Sequence, residues 1–233
     1  VEFRLEKEIQ EAVDDTRSWG GRAVVAYPPS GPQRWRYWEG DLRPDGIELL
    51  NLVSEFKDAG FRKQAAAALF YPFTEYALLP TLSAPRAAGG RWDELLRRGL
   101  VAGYYAANAH GGIRLARRLP LPCPSYEAAF QLVGLGVDRS FAADPLEAVR
   151  EGRFFSIVRG AGEPQEFSFT ADHDGTRHPA AAAVSAPARL EAVVRTRGLR
   201  TRLVLLRDGR PVRESVGPKI SLPGAGPGAY RVE

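Results

Sequence analysis

Apolar positions near the start of the chain recur at helical spacing. Leu5, Ile9 and Val13 stand four apart with charged residues between them, which predicts an amphipathic helix over residues 1–18 stopped by Gly20 and Gly21. The pattern then changes. "AVVAYPP" (23–29) and "GIELL" (46–50) are short, almost wholly apolar runs, as expected of strands buried on both faces of a parallel sheet, and Glu48 is the one charge in the second. Between them "SGPQRWRYWEGD" forms an aromatic-rich loop carrying Trp35, Tyr37 and Trp38. Residues 56–69 read as helix through the high-propensity "KQAAAALF", and "PTLSAPRAAGG" (80–90) as a loop. "RWDELLRRG" (91–99) predicts a short helix, with acids early, arginines late and Gly99 at its stop. "LVAGYYAA" (100–107) predicts a third buried strand that runs directly into Asn108 and His110.

Further along, "ADPLEAVREGRFF" (143–155) has the marks of a capped helix: Asp144 as N-cap, Pro145 at the first helical position, Glu147 three after the cap and Gly152 at the end. After "RGAGEP" (159–164) the period falls to two. "EFSFTA", "RLEAVVR", "RLVLLRDGRPVRE", "KISL" and "GAYRVE" are short strand-like segments, with "RDGR" as a hairpin turn and 179–188 as a low-complexity loop. These patterns predict two domains: an α/β domain over 1–158 with a parallel sheet or barrel, and a small all-β sandwich over 163–233.

Composition narrows the function classes. The chain of 233 residues is 44% hydrophobic and 26% charged, ordinary for a globular protein, and no apolar run reaches the roughly 18 residues of a membrane span. Its net charge is +4, but the basic residues are scattered singly or in pairs and form no stripe or tail, which argues against a nucleic-acid partner. The single cysteine, Cys123, excludes an internal disulfide framework and reads as a small packed hydrophobe. With no methionine, even at position 1, and "GAYRVE" ending in mid-strand, the sequence is expected to be part of a longer one.

In parallel α/β architectures, side chains at the carboxyl ends of the strands converge on one face. Those ends carry Tyr27 with Pro28, Glu48 with Asn51, and Asn108 with His110. The ordered segments "AVVAYP", "DGIELLN", "RWDELL", "YYAANAHGG", "LPCPSYEAAF", "PLEAVREGR", "FSFTA", "LLRDG" and "GAYRVE" resemble the PHP (polymerase and histidinol phosphatase) family of metal-dependent phosphoesterases. They are most similar to bacterial members in which a β-sandwich follows the PHP domain. The resemblance implies a distorted β/α barrel whose N-terminal part is not present in this sequence. It also implies a divalent metal site (zinc, manganese or iron) that activates water against a phosphorylated small molecule.

On that resemblance the metal positions are Tyr27, Asn108 and His110, with Glu48 and Asn51 beside them in the pocket. The family's "AHP" falls on Ala26-Tyr27-Pro28 and its "DAH" on Asn108-Ala109-His110, so a tyrosine and an amide replace two ligands and His110 alone is unchanged. A neutral amide cannot bridge two cations as a carboxylate does, and a phenol with a pKa near ~10 ligates as phenolate only at a cost. The expectation is therefore a phosphoesterase-like hydrolase with a degenerate active site, weakly active or inactive. The alternative is a non-catalytic protein that binds a carbohydrate, peptide or protein partner at the barrel mouth or the β-sandwich. Each residue also has a structural reading: His110 bonded to loop backbone, Tyr27 in the core, Glu48 paired with an arginine, Asn51 turning the chain. His173 and His178, in "ADHDGTRHP", read as exposed loop.

Overall fold

The computed structural model describes residues 2–26, 43–73, 76–108, 114–115, 119–120, 129–138, 140–141 and 144–233. Helix α1 (Glu2–Ser18) leads into the first sheet through Asp45. That carboxylate accepts hydrogen bonds from Arg17 Nε at 3.2 and 3.3 Å and from the Ala23 backbone N–H at 2.9 Å, and so ties the helix to the entrance of the sheet. Strands β1 (Val24–Val25), β2 (Gly46–Asn51) and β3 (Ala102–Ala106) are parallel, in the order β1-β2-β3. β2 is buried along its whole length, as its apolar run predicts.

Two apolar clusters account for that burial. Ile47 and Leu49 pack with Val25 and with Ala88 and Leu95 of a helix on one side, while Leu50 packs with Leu52, Ala129, Leu132 and Val133 on the other. The helix is α4 (Arg86–Leu96), which begins five residues earlier than its propensity suggests and includes Gly89 and Gly90. Ala88 and Gly89 are buried, so this end of α4 gains from close approach what it loses in intrinsic helix preference. The helix expected over 56–69 is divided into α2 (Leu52–Asp58) and α3 (Phe61–Phe70), because Ala59 and Gly60 are extended. α3 turns Ala67 inward and leaves Phe61 and Leu69 in solvent.

Among the described residues the expected distorted β/α barrel is not present; helices and small, mostly antiparallel sheets stand in its place. Among the described residues the strands form five separate sheets of two to four strands, and none closes on itself. The parallel run stops at β3, whose outer edge meets β7 (Phe154–Val158) through a side chain instead of a backbone ladder. Ser156 Oγ donates to the Gly103 carbonyl and accepts from the Tyr105 N–H, both at 3.1 Å. β7 in turn pairs antiparallel with β6 (Val133–Val137), a strand that the sequence patterns do not reveal. Apolar runs report that a strand is covered on both faces; they do not report how many neighbours it has, and a barrel needs every edge paired. β4 (Arg114–Leu115) and β5 (Leu119–Pro120) add a short antiparallel pair.

Helix α5 (Pro145–Arg150) forms where its capping signature predicts, with the Asp144 carboxylate accepting from the Leu146 N–H at 2.8 Å. Beyond a 3-10 turn (Arg159–Ala161), the chain builds two antiparallel sheets. One comprises β8 (Pro164–His173), β9 (Thr176–Pro179), β10 (Ala188–Thr196) and β13 (Lys219–Ala225), in the order β13-β10-β8-β9. The other comprises β11 (Arg202–Arg207), β12 (Arg210–Val216) and β14 (Tyr230–Val232), in the order β12-β11-β14. Leu190, Ala192 and Ile220 of the first share one core with Leu203 and Leu205 of the second. Asp208 and Gly209 turn the β11–β12 hairpin with φ of 51° and 81°, the left-handed pair that such two-residue turns require. No helix among the described residues is long and apolar enough to cross a membrane.

Leu205 is 1% exposed in this shared core. Leu205→Ala should lower stability by about 2–5 kcal/mol, the usual range for a buried leucine. Urea unfolding followed by tryptophan fluorescence should show the midpoint falling at unchanged slope.

Candidate strand-end site

Three of the five residues singled out from the sequence meet at the carboxyl ends of β2 and β3. Glu48 and Asn51 are 6% and 1% exposed, and Asn108 lies two residues beyond β3. Glu48 Oε1 accepts from Asn51 Nδ2 at 2.9 Å; Asn51 Oδ1 accepts from the Ser54 N–H at 3.0 Å and from Asn108 Nδ2 at 3.2 Å. The result is a continuous line of carboxylate, amide and amide. Tyr27 and His110 lie outside the described residues, as do Trp35, Tyr37, Trp38 and Cys123.

Simple alternation would not bring Glu48 and Asn51 together, since residues three apart on a strand face opposite ways. Here the register with β3 shifts: Glu48 lies opposite Tyr104 and Leu50 opposite Tyr105, which leaves Leu49 as one extra residue in β2. This bulge turns Asn51 onto the side of Glu48, the re-aiming that such insertions produce. Asn51 is then the N-cap of α2, with φ −129° and ψ 112°. Its reading as a chain-turning residue is met, and it carries the polar line as well. Asn108 takes a left-handed backbone, φ 41°, which asparagine tolerates better than most residues with a side chain.

The orientation of both amides follows from one backbone donor. The Ser54 N–H can only donate, so it requires Asn51 to present its oxygen; the Asn51 nitrogen then faces Glu48. Asn108 must consequently offer its NH2 to the Asn51 oxygen. An aspartate at 108 would put a carboxylate oxygen against that same oxygen. The described part of the site therefore holds an amide at 108 and does not fit a carboxylate metal ligand there. Among the described residues no group of three or more His, Cys, Asp or Glu side chains is placed to hold a metal ion.

Neighbouring ionisable groups are tuned by burial. Burial raises the pKa of Tyr104, with Arg22 opposing and Asp45 adding to the effect. It also raises that of Tyr105, where Glu233 adds and Arg231 opposes, so both phenols on β3 are neutral hydroxyls. On α2, burial raises Glu55, the Ser83 N–H hydrogen bond at 2.9 Å opposes it, Asp58 adds and Lys63 opposes. His173 and His178 stand in β8 and β9, not in a loop; His178 faces Ala171 and His173 faces Thr176, so the two histidines are not cross-strand partners. Ser54 joins the site only through its backbone N–H, so its residue type carries no signal for that role; the signal is Asn51 placed just before a helix.

In comparisons with known proteins, no family model, no curated protein and no solved structure matches this chain.

Asn108→Asp should cost about 1–3 kcal/mol at neutral pH, the range for leaving buried polar partners mismatched. A protonated aspartate can still donate to Asn51, so the variant's folded pKa is raised; the cost is small below about pH 4 and develops as pH rises. Chemical unfolding at pH 4 and pH 7 measures this directly. For Glu55, a folded pKa above its ordinary 4.5 means that stability is fully present below that value and lost as pH rises through the native one. Glu55→Gln should thus raise the melting temperature more at pH 7 than at pH 4 in a thermal scan.

Proposed function

We propose that this chain is a PHP-like protein of phosphoesterase ancestry whose strand-end site has lost hydrolytic metal chemistry. The reading joins two supports: the segment order that runs from "AVVAYP" through "YYAANAHGG" to "GAYRVE", and the line of Glu48, Asn51 and Asn108 in which the polar groups bond to one another. The second carries it. A hydrolytic metal site needs anionic oxygens aimed at a shared cation and an activated water. Here Glu48 Oε1 is engaged by an amide, and the position that should supply a second carboxylate is occupied by an amide donating inward.

The test is metal content and turnover of the purified protein. After incubation with zinc, manganese or iron and desalting, metal analysis should find well under one ion per chain, and p-nitrophenyl phosphate should not be hydrolysed above the buffer rate. Stoichiometric metal together with hydrolysis would establish an active phosphoesterase and overturn the reading.

A further inference from the structure

The parallel-sheet layer and the two-sheet C-terminal module face each other across a cleft of about 1820 Å3, lined by Trp92, Tyr105 and Phe155 on one side and Phe169 and Leu190 on the other. One contact across the junction lies beside the chain connection: Phe155 of β7 and Phe167 of β8 have ring centroids 4.0 Å apart. A contact so close to the connecting segment cannot by itself stop the C-terminal module from rotating about it. A second contact, remote in sequence, can.

That contact joins α4 to β14. Arg231 Nε donates to Asp93 Oδ1 at 2.7 Å and Nη2 to Oδ2 at 3.0 Å, a two-point fork between side chains only 11% and 9% exposed. The guanidinium carbon lies 5.4 Å from the centre of the Trp92 ring, and Trp92 is itself held by donating to the Val101 carbonyl at 2.7 Å. Glu233 accepts from the remaining Arg231 nitrogen. Burial alone would weaken the Arg231 charge, but the hydrogen bonds to Asp93 and Glu233 outweigh it and hold its pKa above the ordinary range.

The surroundings fit the fork closely. A Cβ on Gly209, in the β11–β12 turn, would stand 2.6 Å from Asp93 Oδ2, and one on Gly89 of α4 would stand 3.7 Å from Arg231 Nη2. A buried ion pair adds little net stability over apolar packing, yet removing one partner strands a charge. The planar two-point geometry fixes direction as well as distance.

We propose that the Asp93–Arg231 fork is a clamp that fixes the C-terminal module against the parallel sheet and holds the cleft between them at one width. The full chain should unfold in one calorimetric transition. Asp93→Asn and Arg231→Lys, which keep size but lose the fork, should split it into two transitions and speed protease cleavage at residues 159–163 by more than about tenfold. Gly209→Ala, which wedges the fork from the turn side, should act in the same direction. Ile220→Ala, in the sheet that does not carry Arg231, should shift melting without faster cleavage at 159–163. A single transition with unchanged cleavage in all three clamp variants would overturn the proposal. So would failure of both Asp93→Asn and Arg231→Lys to fold, since the pair would then belong to one common core.

Discussion

The Ser54 N–H is the constraint on which the strand-end site depends. It is one of the donors that every helix start leaves without an intrahelical partner, and Asn51 satisfies it with its side-chain oxygen. Because that donor cannot accept, the rest of the line has no freedom: the Asn51 nitrogen must face Glu48, and Asn108 must face the Asn51 oxygen with its own nitrogen. A local requirement of helix capping thus decides the chemistry of Asn108, 57 positions from Asn51 and just past the end of β3. It also supplies the buried Glu48 carboxylate with one hydrogen-bond donor, as a buried polar group requires.

Much of the local structure was legible because the relevant signals are short-range. Asp144 with Pro145 announces α5, the Asp-Gly pair announces the β11–β12 turn, and the apolar run at 46–50 announces a strand covered on both faces. What escaped depends on partners distant in sequence. Gly89 and Gly90 look like a break, yet they lie inside α4 because that end of the helix packs closely. β6 carries two glycines, and one of them, Gly136, is where a Cβ would stand 2.1 Å from the Phe155 ring; a strand specified by its neighbour's side chain leaves no period of its own.

The barrel expectation failed at the step from strands to sheets. Three parallel strands with apolar faces are compatible with a barrel or an open sheet, and the difference lies at the edges. At β3 the edge is met by one serine hydroxyl that replaces a pair of ladder bonds, and beyond it the chain turns antiparallel. For the site, the three strand-end residues Glu48, Asn51 and Asn108 lie together. How they bond was not legible, because alternation alone places Glu48 and Asn51 on opposite faces.

The extra residue at Leu49 gives this arrangement an unusual vulnerability. Its integrity depends on pairing register as much as on identities: Leu49 could become another apolar residue, or be deleted so that Glu48 and Asn51 stand two apart, and both side chains would still share a face. If β2 kept all its residues but paired with β3 without the extra one, Asn51 would turn to the other face and Asn108 would lose its acceptor. In terms of how such a protein can change over generations, the segment is open to drift in sequence, even to the loss of Leu49, and closed to a slip of β2 against β3.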